Sequence, residues 1–173
     1  PGSAMGKARV RPSLRHADGD GVDAAAAAIK AASKPLVLMG GTALTEAGLA
    51  QAARLKTAGV RVMTDTFYAR MPRGAGRFVP DRMEYFAESA MQDIDGHDLM
   101  VVIGTQVPVA FFAYPGKPSV LVPEGCATME LGGPEIDSAA AIEMLAGALG
   151  AKEAAKFAEL ALPDTPSGAL QAV

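Results

Sequence analysis

Aromatic residues and cysteine are scarce in this chain of 173 residues: aromatics make up 5%, tryptophan is absent, and Cys126 is the only cysteine. An interior with few rings must be built from Ala, Val, Leu, Ile and Met, which favours helices packed on a sheet. A lone cysteine excludes an internal disulfide and is typical of a reducing compartment, so we expect a cytoplasmic protein. The length suits one domain with its own core.

A basic excess and long apolar runs are missing too. The net charge of -3 gives no overall positive field for phosphates, so we expect no nucleic-acid partner. No apolar run approaches the roughly 20 residues of a membrane span, and the N-terminus has no apolar signal-peptide core, so we expect no membrane partner. One basic cluster is predicted to be a solvated arm: Lys7, Arg9, Arg11, Arg15 and His16.

Apolar runs alternate with helical patterns along the chain. Asp23 precedes an alanine run and is the predicted N-cap of a first helix. Residues 36–39 are apolar on both faces and end at two glycines, which predicts a buried strand. Thr45 is predicted to cap the next helix and Gly59 to end it, with Leu49 facing the sheet.

The following segments predict a parallel sheet. Residues 60–64 form a second strand one helix after the first, which is a right-handed βαβ unit. Residues 65–82 are a long irregular connection with a short edge strand near 77–79, and loops of this length usually have a function. The remaining predictions are a helix from Met83 that ends near Asp95, strands at 99–103, 119–122 and 127–131, and helices at 138–149 and 151–161.

Two loops are predicted to meet at one edge of this sheet. In an open parallel sheet, ligands bind beyond the carboxyl ends of the strands, where the strand order reverses. If strands 36–39 and 99–103 are neighbours, their loops face each other across a nucleotide-sized crevice. The pattern is not the full dinucleotide fingerprint, so a nucleotide site and a tight strand-to-helix turn both remain open. The candidate residues are Gly40, Gly41 and Thr42 in one loop and Gly104, Thr105 and Gln106 in the other.

Other polar residues carry no complete catalytic or metal-binding motif. The Asp-Gly-Asp-Gly stretch at 18–21 lacks a later liganding acid and is interpreted as a flexible turn. His16 and His97 lack the partners of a general base or a metal site. Cys126 has no evident nearby base and is interpreted as an inert thiol. We therefore predict no catalytic and no metal-binding residues.

Three arginines in the long loop need a partner outside the core: Arg70, Arg73 and Arg77. Because they cannot all be buried, they must point to solvent, to another domain, or to a carboxylate or phosphate. Both the domain-interface and the ligand-contact interpretations stay open, and Arg77 is the loop's candidate cofactor contact.

Several segments carry a resemblance to a known family. They are Lys-Pro-Leu-Val-Leu-Met-Gly-Gly-Thr-Ala-Leu-Thr-Glu-Ala-Gly at 34–48, Gly-Val-Arg-Val-Met-Thr-Asp at 59–65, Met-Pro-Arg-Gly-Ala-Gly-Arg at 71–77, and the strand segment 98–105. In this order they resemble the central domain of thiamine-diphosphate enzymes of the acetolactate synthase type, and 162–169 resembles the tether into the next domain.

The resemblance implies a fold and a domain division. The fold is a three-layer α/β/α Rossmann-like domain with a six-stranded parallel sheet in the order 3-2-1-4-5-6. The division is a scar and linker arm at 1–22, the central domain at 23–161, and a linker to a missing domain at 162–173.

The resemblance also implies a non-catalytic role. In that family, other domains activate thiamine diphosphate and bind its diphosphate and magnesium, so this chain alone should bind neither. Its implied partners are the missing N- and C-terminal thiamine-binding domains, in a parent that is a homodimer or homotetramer. The central domain of some relatives holds FAD or an adenine nucleotide. Flavin binders have Ala-Arg and Asp-Ile-Asp where this chain has Thr105-Gln106 and 123–125, so an empty or vestigial crevice is favoured.

Two other functions are weighed against this one. A stand-alone nucleotide- or flavin-binding module would use the same crevice. An independent NAD-dependent enzyme of the sirtuin-like branch would need a catalytic histidine and zinc cysteines, which the sequence does not supply.

Overall fold

In a computed structural model of the protein, the described residues are 13–112, 115–153, 159–160, 162–165 and 167–168. Within them, four α-helices surround one parallel sheet with the strand order β3-β2-β1-β4-β5. The helices are α1 (Gly19–Ala31), α2 (Glu46–Thr57), α3 (Ala87–Ile94) and α4 (Ser138–Ala148). The strands are β1 (Pro35–Met39), β2 (Arg61–Thr64), β3 (Asp81–Arg82), β4 (Leu99–Ile103) and β5 (Ala127–Glu130).

The centre of the sheet is β1, which lies between β2 and β4. Val37 is opposite Val62 on one side and Val101 on the other, and both pairings are parallel. Every residue of β1 and β4 is buried, as expected for strands covered on both faces. The predictions of an α/β fold, of a parallel sheet and of adjacent parallel strands at 36–39 and 99–103 are confirmed.

A sixth strand is not found among the described residues, so the implied order is confirmed only through five strands. The predicted strand at 119–122 instead makes one antiparallel bridge, between Val120 and Val109. Prolines 118 and 123 flank this segment and supply no N–H donor to a ladder, which explains why it does not extend. Strand β5, which corresponds to the predicted strand at 127–131, is therefore the neighbour of β4 in the sheet.

The beginning of α1 differs from its prediction. The helix begins at Gly19, with Asp18 at the capping position, so Asp23 is an exposed residue inside the helix and not its N-cap. The interpretation of 18–21 as a flexible turn is wrong for the same reason. Asp20 lies in the first turn, where its negative charge favours the helix N-terminus.

The long connection also differs in detail. The predicted edge strand at 77–79 lies just after Pro80 instead, as β3, which runs parallel to β2. The following helix begins at Ala87, with Phe86 at its N-cap, so Met83 precedes the helix although it is buried. The predicted helix end at Asp95 is confirmed.

The prediction for α2 is confirmed at both ends. The Thr45 side chain accepts a hydrogen bond from the Gly48 N–H, which is the expected cap. Gly59 follows the helix with φ of +81°, the left-handed conformation that favours glycine after a helix. Leu49 and Leu55 are buried against the sheet.

The two faces of the sheet are covered unequally. Helices α1, α2 and α4 pack on the face that carries Val37 and Val101. The opposite face, which carries Leu38 and Val102, is covered by α3 and by the loop after β4. Alternate residues of each strand therefore belong to different cores, as the pleat requires.

The ends of the chain lie partly outside the described residues. This applies to residues 1–6, to most of the basic cluster, to the predicted helix at 151–161 and to the linker at 162–173. Arg15 is described. Its side chain forms an ion pair of 3.0 Å with Glu135, and its backbone forms an isolated parallel β-bridge with Ile136. In the described part of the chain, none of the helices has the length and apolarity needed to cross a bilayer.

Candidate functional site

The two predicted loops meet directly at the carboxyl end of β1. The Gly40 N–H donates to the Ile103 carbonyl oxygen at 2.9 Å. A Cβ added at Gly40 would lie 2.8 Å from the Gly104 carbonyl oxygen, and Gly104 itself has φ of +68°. Glycine is needed at both positions, because a side chain would separate the loops.

Ser138, the first residue of α4, occupies the space between these loops. Its Oγ donates to the Gly40 carbonyl oxygen at 2.7 Å and accepts from the Ala43 N–H at 2.9 Å. A Cβ added at Gly104 would lie 2.5 Å from the Ser138 Cβ. We call the contact of Gly40, Gly104 and Ser138 the glycine junction, and at these three residues the two loops are in close contact.

Thr42 continues the same polar network above the glycine junction. Its Oγ1 donates to Asp137 Oδ1 at 3.0 Å and accepts from the Ala139 N–H at 3.0 Å. Hydrogen bonds from the Ala140 N–H and then from Thr42 lower the pKa of Asp137, which also caps α4. A carboxylate held ionised here disfavours a phosphate group at the same place.

Thr105 and Gln106 lie instead on an open cavity of about 360 Å³. It lies at the carboxyl edge of the sheet, on the face covered by α3, and we call it the Asp65 cavity. Its lining consists of Asp65, Thr66, Phe67, Met83, Thr105, Gln106, Val107, Pro108, Val109, Phe111, Leu121 and Pro134.

A hydrogen bond between Asp65 and Thr105 crosses the end of β1 and connects the loop after β2 to the loop after β4. Asp65 directly follows β2, Thr105 closely follows β4, and the Thr105 hydroxyl donates to the Asp65 carboxylate. Burial raises the pKa of Asp65, and the hydrogen bond from Thr105 opposes this. The carboxylate is therefore partly desolvated, and among the described residues that line the cavity no Lys, Arg or His offsets the cost.

Aromatic rings border the Asp65 cavity. The Phe67 and Phe111 ring centroids are 4.9 Å apart, and Tyr85 stacks on Phe111 at 5.6 Å. Phe67 is 65% exposed and Phe111 46%, so both residues leave apolar surface open to solvent. No sequence pattern predicts this cluster, because its members are separated by tens of residues and share no motif.

The arginines of the long loop are not part of this cavity. Arg77 forms an ion pair of 3.2 Å with Glu46 on α2, and its buried Nε has no hydrogen-bond partner among the described residues. Arg70 borders a separate wide hollow of about 780 Å³ together with Gly41 and Thr42. The predicted site residues are thus divided among three places.

The surroundings of the two remaining titratable candidates, His97 and Cys126, favour a structural role. His97 is buried, with Nδ1 2.8 Å from the Ile94 carbonyl oxygen. Burial raises the pKa of the Cys126 thiol, which lowers its reactivity as a thiolate. Among the described residues, no three His, Cys, Asp or Glu side chains come together in a way that could hold a metal ion.

Comparison with known proteins identifies a relative for most of the chain. No family model matches the sequence. The protein IlvX of Mycobacterium tuberculosis, an acetolactate synthase large subunit-like protein by name, is 38% identical over 149 residues. The predicted resemblance to the acetolactate synthase type is confirmed. The match covers 86% of this chain but 29% of IlvX, so the chain spans less than a third of its relative's length.

Solved structures show the same fold in thiamine-diphosphate enzymes. The 4-hydroxybenzoylformate decarboxylase of Rhodococcus jostii matches with a TM-score of 0.62 and 17% identity, over 96% of this chain and 33% of that one. Benzoylformate decarboxylase from Polynucleobacter necessarius matches with a TM-score of 0.61 and 21% identity, over the same shares. At these identities the likeness establishes the fold alone.

Proposed function

We propose that the chain is the non-catalytic central domain of a thiamine-diphosphate-dependent lyase or carboligase that acts on 2-keto acids. The main support is the acetolactate synthase-type match, which covers most of this chain but a domain-sized part of its relative. The domain occupies residues 23–161 together with the few residues before them, since α1 begins at Gly19. It acts as a spacer between the thiamine-binding domains on either side. The parent works in the cytoplasm as a homodimer or homotetramer and holds thiamine diphosphate and magnesium in those other domains.

The glycine junction supports the spacer role. At the reversal of strand order, where a nucleotide would bind in an open sheet, Ser138 and Asp137 of this chain satisfy the backbone and hydroxyl groups. Gly40, Gly41, Thr42 and Gly104 then connect strands to helices, and Thr105 and Gln106 remain the predicted contacts that line a cavity.

Calorimetric titration with thiamine diphosphate and magnesium tests this proposal. We expect no saturable binding to the 173-residue chain. A longer protein that includes the flanking domains should bind the cofactor and decarboxylate or condense a 2-keto acid such as pyruvate. Cofactor binding by this chain alone, or turnover by the longer protein without thiamine diphosphate, would contradict the proposal.

A second candidate is a stand-alone nucleotide- or flavin-binding module. The observation that favours it is the separate hollow of about 780 Å³ bordered by Gly41, Thr42 and Arg70, whose volume lies within the range of small-molecule sites. Quenching of FAD fluorescence by the purified chain at micromolar concentrations would support this candidate. Unchanged fluorescence, with no binding of AMP by calorimetry, would leave the spacer role.

A further inference from the structure

The Asp65 cavity has the build of a small-molecule site. The loops after β2 and β4 form two of its walls, and Met83, Leu121 and Pro134 complete it. Its volume of about 360 Å³ falls within the 300–1,000 Å³ typical of ligand pockets. A few polar groups among apolar walls are the usual means of orienting a ligand.

The charge of this cavity is negative and uncompensated. Asp65 is the titratable residue of the lining, which contains no lysine, arginine or histidine. In the described structure, its carboxylate accepts a hydrogen bond from the neutral Thr105 hydroxyl. A carboxylate can accept about four hydrogen bonds, so a cationic donor in the cavity would be favoured.

The walls next to Asp65 suit a cation that carries a ring. Phe67 and Phe111 offer aromatic surface, and a cation near an aromatic face is attracted by the negative charge of the ring face. Met83, Val107 and Leu121 supply apolar surface for hydrocarbon. An anion such as a 2-keto acid or a nucleotide diphosphate would meet repulsion from Asp65 without a compensating cation.

We propose that the Asp65 cavity binds a small organic cation of the arylalkylamine class. The ammonium group bonds to the Asp65 carboxylate, and the ring packs against Phe67 and Phe111. This site is independent of the proposed spacer role, because it needs neither thiamine diphosphate nor the flanking domains.

Three probes that differ in one group test the proposal on the complete 173-residue chain: 2-phenylethylamine, 2-phenylethanol and 3-phenylpropionate. All three share a phenylethyl group, so calorimetric titration isolates the contribution of charge. We expect the amine to bind at least about tenfold more tightly than the alcohol, and the carboxylate to bind most weakly. Equal affinities, tighter binding of 3-phenylpropionate, or no binding of the amine would overturn the proposal.

Variants then locate the binding. Asp65→Asn should remove the advantage of the amine over the alcohol while leaving the alcohol's affinity unchanged. Glu143→Gln makes the same charge change at an exposed position of α4 across the sheet, and it should alter neither affinity. Phe67→Leu should weaken the amine and the alcohol by similar factors. An unchanged preference for the amine in Asp65→Asn would place the cation elsewhere and overturn the proposal.

Two further measurements keep the outcome distinct from folding defects and from nucleotide binding. Thr105→Val keeps the Asp65 carboxylate but removes its donor, so the preference for the amine should persist in this variant. FAD should fail to displace bound 2-phenylethylamine. Displacement by FAD at a lower concentration than the amine would mark the cavity as a nucleotide site and overturn the proposal.

Discussion

Asp98 connects the beginning of β4 to the turn before β1. Its carboxylate accepts hydrogen bonds from the Ser33 N–H at 2.7 Å and from the Lys34 N–H at 2.8 Å. These two bonds, in that order, lower the pKa of Asp98. One side chain therefore aligns the amino ends of the two central strands, and it does so best when it is ionised.

Asp98→Asn should destabilise the protein in a pH-dependent way. The pKa of Asp98 is lower in the folded state than its unfolded value of about 3.9, so its contribution is present above that pH and is lost as the pH falls through the folded pKa. Urea unfolding should show a lower midpoint for the variant at pH 7 and a narrowing gap below pH ~4. A gap of the same size at every pH would contradict this account, and Glu143→Gln should show no gap.

Asp65 should have the opposite effect on stability. Burial raises its pKa in the folded state, so the ionised carboxylate costs stability above that pKa, and the cost disappears as the pH falls and the group is protonated. Asp65→Asn should therefore have a higher urea midpoint than the unmodified chain at pH 8, with the gap closing toward pH ~4. A lower midpoint at all pH values would show that Asp65 stabilises the fold.

At this scale the sequence predicted part of the candidate site. Thr105 and Gln106 follow a buried strand, which predicts their place at the carboxyl edge of the sheet, and they line the Asp65 cavity. The sequence analysis misses Asp65 and Phe67, although Asp65 follows a strand in the same way. Their proximity to Thr105 depends on β2 and β4 lying on opposite sides of β1, and residue type alone carries no signal of that.

Among the elements, continuous apolar runs gave the best predictions. Strands β1 and β4 were predicted nearly to the residue, because each is an uninterrupted apolar segment that ends at glycine. The exposed strand β5 has a weaker signal, and 119–122 has a strong one but is limited by its flanking prolines. Neighbouring residues that cannot donate hydrogen bonds thus outweighed the local pattern.

Two glycines with positive φ, Gly104 after β4 and Gly59 after α2, allow a matched pair of substitutions. Gly104→Ala must place a side chain at φ of +68° and within 2.5 Å of the Ser138 Cβ. The backbone conformation costs about 1–2 kcal/mol and the overpacking about 1–3 kcal/mol, so we expect a loss of about 2–5 kcal/mol in the free energy of unfolding.

Gly59→Ala is the control for Gly104→Ala. Gly59 also has positive φ, but a Cβ there would meet no atom within 4 Å. Its loss should be limited to the backbone cost of about 1–2 kcal/mol. Equal losses from the two substitutions in urea unfolding would show that Ser138 does not pack against Gly104 as described.

The whole molecule has a thick side and a thin side. Three helices cover one face of the sheet, whereas the eight-residue helix α3 and a loop cover the other. Local opening should therefore begin at the edge strand β3 and at α3, where the least packed structure has to come apart.

Hydrogen–deuterium exchange should reveal this gradient. We expect the slowest exchange at the backbone amides of β1 and β4, which are buried throughout and pair on both sides. Amides of β3 and α3 should exchange at least about tenfold faster, since they open in smaller units. Protection of β3 equal to that of β1 would contradict this order.

Ser138 follows Gly40 by 98 positions in the sequence, yet its hydroxyl satisfies that residue's carbonyl group. While the chain is being synthesised, the turn after β1 must therefore rely on water for these bonds until α4 has left the ribosome. A nascent chain that stalls before that helix would leave these backbone groups at the end of the sheet without their protein partner.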